Sequence, residues 1–166
     1  MVDALGCLTE EYAVELFERH KVMTRVELTS RQEVGYEAYA KAINIEARTM
    51  IDMTKKEIIP AVIKYTTTVA QSVTAVKAVG ADASVQEASL ADISKNLVAM
   101  NAALEKLEAA TDKAASIEEP KAQAIAYRDE VFTTMSELRE PADALEMLVD
   151  KSVWPFPTYG DLLFNV

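Results

Sequence analysis

The chain reads as an all-α protein, an antiparallel helical bundle built on one very long helix kinked near Pro60 and finished by an extended tail of aromatics and prolines. Three observations predict this class. Apolar residues recur in steps of three or four from Tyr36 to Val76, and a second seam of the same kind runs from Leu90 to Leu107. Four glycines and five prolines in 166 residues are too few for the many turns of an all-β chain.

Residues 1–29 supply a short helix and a connector. Thr9-Glu10-Glu11 opens the helix, with acids in its first turn where the helix dipole favours them. Tyr12, Ala13, Leu16 and Phe17 share one face, and the helix ends near Lys21. In the connector, Thr24 and Glu27 are spaced to cap one extra turn.

The long helix is expected over residues 30–80. Its stripe comprises Tyr36, Tyr39, Ile43, Ala47, Met50, Thr54, Ile58, Val62, Tyr65, Val69, Val73 and Val76, diluted only by Thr54. Thr29 with Gln32 and Ser30 with Glu33 form two overlapping capping boxes at its start, and Gly80 supplies a left-handed stop. Some fifty residues at about 1.5 Å each would span roughly 75 Å. Pro60 lacks the N–H that would bond the Lys56 carbonyl, so a bend or a division is expected between them.

A third helix over 84–117 is announced by the Ser84 and Glu87 capping box. Its seam, Leu90, Ile93, Leu97, Met100, Leu104 and Leu107, is the most regular pattern in the chain. Pro120 suits the first position of a fourth helix over 120–150, which carries Ala124, Tyr127, Val131, Met135 and Leu138 and is expected to break at Pro141. Connections of a few residues make these helices antiparallel neighbours. A third helix of about thirty residues reaches back only to the neighbourhood of Ala47, so Tyr36, Tyr39 and Ile43 need another cover, from the first helix and from a partner domain.

The tail, 151–166, cannot be helix where Trp154-Pro155-Phe156-Pro157-Thr158-Tyr159 alternates large aromatics with prolines. An extended strap docked on its own protein is expected, because so much apolar surface would otherwise lie in water. It would reach either the Gly80 end of the bundle or, if Pro141 turns the chain back, Tyr36 and Tyr39. A polyproline ligand for an adaptor domain is the competing reading.

Composition narrows the function. A formal charge of −10 without a clustered basic face argues against nucleic acid, and no run of about eighteen apolar residues suggests a membrane span. A cytoplasmic setting is the expectation, and a lone Cys7 allows no intrachain disulfide. His20 is the sole histidine and Phe17 stands three residues before it, which closes the Glu-x-x-His di-iron reading. No phosphate-cradling glycine loop occurs, and Met50, Met53, Met100, Met135 and Met147 read as core filler. No catalytic, cofactor or metal residue is assigned. The residues singled out for packing are Tyr36, Tyr39, Ile43, Trp154, Phe156 and Tyr159.

Thr29-Ser30-Arg31, Ile43-Asn44-Ile45-Glu46-Ala47, Met50-Ile51-Asp52-Met53, Ile58-Ile59-Pro60-Ala61, the aromatic tail and Asp161-Leu162-Leu163-Phe164 together resemble the C-terminal region of type III glutamine synthetases. The resemblance runs along nearly the whole chain. It implies a bacterial enzyme that joins ammonia to glutamate using ATP and a divalent metal, Mg or Mn, in a ring homo-oligomer. Its nucleotide, metal and substrate residues would lie on an upstream catalytic domain of the same polypeptide, with Val2-Asp3-Ala4-Leu5 as the exit from it. On this reading the fragment is an inactive C-terminal accessory domain that packs against that catalytic domain or other subunits. The alternative from physics alone is a free-standing helical scaffold or signalling module.

Overall fold

A computed structural model describes residues 1–157 and 159–163, the side chains of 159 and 160 excepted. All regular structure among them is helical. In order these are α1 (Val2–Gly6), a 3-10 turn (Cys7–Thr9), α2 (Glu11–Arg19), α3 (Arg25–Met53), a π turn (Thr54–Ile58), α4 (Ile59–Ala78), α5 (Ser84–Ala115), α6 (Pro120–Ala126), a second π turn (Tyr127–Val131), α7 (Phe132–Leu148) and α8 (Tyr159–Leu163). The backbone stays helical from Arg25 through Pro60 to Ala78, 54 residues in all.

The long helix starts five residues earlier than its overlapping caps suggest. Thr24 and Glu27 form the working box: the Thr24 N–H donates to Glu27 Oε2 at 2.8 Å, and the Glu27 N–H donates back to Thr24 Oγ1 at 3.4 Å. Glu18 Oε1 accepts from the next N–H, that of Arg25. Thr29 lies inside the helix, its hydroxyl bonded to the Arg25 carbonyl. Three boxes of equal local merit compete here, and the packing of α2 against this end selects the first.

Every residue of the long stripe is buried or half-buried. At Pro60 the chain neither divides nor ends. The hydrogen bonding widens into the π turn just before it, and Pro60 becomes the second residue of α4. Pro141 likewise lies inside an unbroken α7, so the restart expected there does not occur. An interior proline costs about 3 kcal/mol, and burial of Leu138 and Leu145 on either side offsets it.

The chain divides into two compact units. The first comprises Met1–Thr49 and Leu107–Met135, so it holds α1, α2, nearly all of α3, the end of α5, α6 and the second π turn. Leu28, Ala47, Leu107, Ala114, Ala124 and Val131 are each 2 % exposed or less and form its core. Gln123 fastens the turn between α5 and α6 by donating to the Ala114 and Ile117 carbonyls, and Lys113 pairs with Glu130 across it. Glu119 caps α6 by accepting from the Lys121 and Ala122 N–H groups, with Pro120 as its first residue.

The second unit comprises Met50–Lys106 and the chain from Ser136 onward. Val62, Ile93, Met100, Leu138 and Leu145 form its core. Gly80 closes α4, and α5 follows with a cap that differs from the expected one. Asp82 accepts from both the Ser84 N–H and the Ser84 hydroxyl, leaving Glu87 to pair with Lys77 across the hairpin. Asp82 wins because its shorter side chain reaches Ser84 from outside the first turn.

Candidate packing site

The expected packing residues fall into two groups. Tyr36 and Ile43 are buried in the first unit, and Tyr39 is half-buried beside them. Tyr36 clusters with Val2 of α1 and Ala124 of α6, with Leu5, Tyr39 and Ile125 packed around it. The cover this face needed therefore comes partly from α1, an element that the sequence reading passed over as an exit segment. Gly35 makes the close approach possible, since a Cβ there would stand 2.7 Å from Leu5 Cδ2.

α1 is held by polar contacts as well. Gln32 Nε2 donates to the Leu5 carbonyl at 2.8 Å, the Gly6 carbonyl at 3.3 Å and Thr9 Oγ1 at 2.9 Å. Arg128 Nη1 donates to Asp3 Oδ1 at 2.7 Å while its Nε holds Asp129 Oδ1 at 2.6 Å. The Arg128 guanidinium in turn holds the Asp129 carboxyl below the ordinary carboxylate range. Burial raises the Tyr127 hydroxyl above its ordinary value. The Tyr36 hydroxyl is buried with no hydrogen-bond partner among the described residues.

Trp154 and Phe156 lie in the second unit. Asp150 builds the turn that brings them there, accepting from the Ser152 N–H and hydroxyl while its carbonyl accepts from the Val153 and Trp154 N–H groups. Both aromatics are half-buried and line a pocket of about 350 Å³ with Met53, Ile58 and Arg139, Ala142, Asp143 and Glu146 of α7. Lys151 pairs with Asp161 of α8. Tyr159 begins α8, and its side chain lies outside the described residues. The sequence offered the Gly80 end or the Tyr36 and Tyr39 face for this tail. The Asp150 turn instead lays it along α7.

A third feature had no signal beyond periodicity. Ile63, Thr67, Ala70, Thr74 and Ala78 of α4, with Leu97 of α5, line an open groove of about 630 Å³. Thr66, Thr67 and Thr74 spend their hydroxyls on the Val62, Ile63 and Ala70 carbonyls, so they contribute an apolar surface. Among the described residues no charged side chain lines this groove. His20 follows the last residue of α2, exposed. Among the described residues no group of three or more His, Cys, Asp or Glu is arranged to hold a metal ion, and none of the helices is long and apolar enough to cross a membrane.

Helices alone make up the regular structure of the described residues, which defines an all-α domain. Residues 1–77, from α1 to the end of the long helix, match the family model of the glutamine synthetase C-terminal domain, and this segment belongs to that family. Similarity continues beyond it. The chain is 31% identical over 166 residues to a glutamine synthetase of Butyrivibrio fibrisolvens, covering 99% of the chain and 24% of that protein. It is 27% identical over 168 residues to a type-3 glutamine synthetase of Dictyostelium discoideum, covering 98% of the chain and 23% of the relative. A glutamine synthetase of Bacteroides fragilis (strain YCH46) is 26% identical over 169 residues. The chain thus spans about a quarter of the length of the curated relatives it matches.

Proposed function

We propose that the chain is the C-terminal accessory domain of a type III glutamine synthetase, a cytoplasmic bacterial enzyme that makes glutamine from glutamate, ammonia and ATP. Its role is structural: it packs against the catalytic region of the same polypeptide or against neighbouring subunits of a ring homo-oligomer. The observation that carries this reading is similarity along 98 to 99% of the chain to glutamine synthetases, one of them named type-3. The uncharged groove on α4 in a chain of net charge −10 supports a packing role, because acidic surface solvates a protein while an apolar face asks for cover. Such an enzyme uses ATP and a divalent metal, Mg or Mn. On this reading both belong to the remainder of the polypeptide.

Two measurements test it. The gene should continue in frame upstream of Met1 for several hundred codons encoding a carboxylate-rich barrel, and the longer polypeptide should form glutamine with ATP while residues 1–166 alone do not. A stop codon just before Met1, or glutamine formation by the pure 166-residue chain, contradicts the proposal. A stop codon would leave the free-standing scaffold as the reading.

A further inference from the structure

The geometry points to α1 as a releasable latch, held on the first unit by Val2, Leu5 and Gln32 and kept close to release by the hydroxyl of Tyr36, which has no hydrogen-bond partner among the described residues. Four observations meet here. Val2 is 3 % exposed. Leu5 fits over Gly35, where a side chain would displace it. Gln32 grips the carbonyls at the C-terminal end of α1, and Arg128 grips Asp3 at the other end. Beneath these contacts Tyr36 is 2 % exposed, and a Cβ on Gly6 would stand 3.8 Å from its orphaned hydroxyl.

The hydroxyl opposes docking together with the conformational entropy lost when the five residues of α1 are ordered. Two small apolar side chains and a few hydrogen bonds favour docking, while a buried donor without a partner loses its hydration for no return. Release of α1 returns water to Tyr36. A helix of five residues has little stability of its own, so release also melts it. The latch is therefore two-state and local, and a pull or a steric push through polypeptide joined at Met1 shifts it without unfolding the core. That last role rests on the function proposed above; the latch itself rests on this chain alone.

Thiol labelling of the 166-residue chain tests it, with Cys7 replaced by Ser and a reporter placed by Val2→Cys. Under native conditions the reporter should label at least tenfold faster than one placed by Val131→Cys in the core of the same unit, because only α1 has to open. Adding Tyr36→Phe should slow labelling at Val2→Cys by about fivefold or more, and adding Gln32→Ala should speed it by about fivefold, from the ordinary values of an orphaned polar group and of a hydrogen bond. Neither should change labelling at Val131→Cys in the same direction and degree. Equal rates at the two reporters would overturn the proposal, since α1 would then open only with the whole unit. Faster labelling with Tyr36→Phe would also overturn it, showing that the hydroxyl has a partner, a buried water, when α1 is docked. Both failures leave the family assignment untouched, because neither depends on what precedes Met1.

Discussion

Lys21 and Gly80 end two different helices in the same way. Each has a positive φ, 55° and 75°, and each donates its N–H to the carbonyl three residues before it, Glu18 and Lys77. In each case the following residue bonds further back, Val22 to Phe17 and Ala81 to Val76, which completes the left-handed helix ending. Only one of the two positions carries the residue suited to it. Lys21→Gly should raise stability by about 0.5 to 1 kcal/mol, and Gly80→Ala should lower it by about 1 kcal/mol, since a Cβ is disfavoured in this conformation. Urea unfolding midpoints of the two variants check both signs.

Four carboxylates should make the fold sensitive to acid. The Thr24 N–H lowers Glu27, the Ser84 N–H lowers Asp82, the Arg128 guanidinium lowers Asp129 and the Ser152 hydroxyl lowers Asp150. Each is depressed in the folded state, so its contribution is fully present above the ordinary carboxylate range and is lost as pH falls through the lowered folded value. The thermal midpoint should hold steady from pH 7 to about 5 and fall below about pH 4. Asp82→Asn should soften that fall while lowering the midpoint at pH 7. A midpoint that rises on acidification would contradict this.

Burial along the seam of α5 should separate its residues sharply. Leu107 is fully buried, so Leu107→Ala should cost about 2 to 5 kcal/mol through lost transfer energy and an unfilled cavity. Val98 on the same helix is 71 % exposed, and Val98→Ala should change stability by less than about 0.5 kcal/mol. Chemical denaturation of the two variants gives the comparison.

What the sequence made legible was the periodicity. The stripe positions from Tyr36 to Val76, and Ala124, Tyr127, Val131, Met135 and Leu138, turn inward because steps of three and four keep to one face of a helix, whatever packs against it. Caps were less legible, because Thr24, Thr29 and Ser30 all offer boxes and only tertiary contacts such as Glu18 with Arg25 choose among them. The π turns depend on which carbonyl an N–H finds, which packing decides. One trace was present: Met50, Thr54, Ile58 and Val62 are the one run of three successive four-residue steps in the stripe, and they bracket the first π turn. Each such step overshoots a turn by about 40°, and a widened turn takes up the excess. α1 left no trace, since five residues are too short for a period. Of the candidate site, the sequence marked the aromatics but not the bonds of Gln32 and Asp150 that bring their partners to them.

Trp154 is the one tryptophan, so its fluorescence reports on the tail. Half-buried beside Phe156 and Met53, it should emit to the blue of free tryptophan and resist acrylamide in part, and both properties should vanish on unfolding. Asp150→Ala removes the bonds to Ser152 that shape the turn and should shift the emission toward the red. A water-like spectrum in the native chain would mean that the tail is not seated on α7.

The most direct test of a packing domain is reconstitution from two pieces. The longer polypeptide would be made without residues 1–166, and its sedimentation and ATP-dependent glutamine formation measured before and after adding the 166-residue chain. The truncated protein should assemble incompletely, and the added chain should bind it and restore both the larger particle and the activity. Identical sedimentation and identical glutamine formation with and without the chain would contradict it.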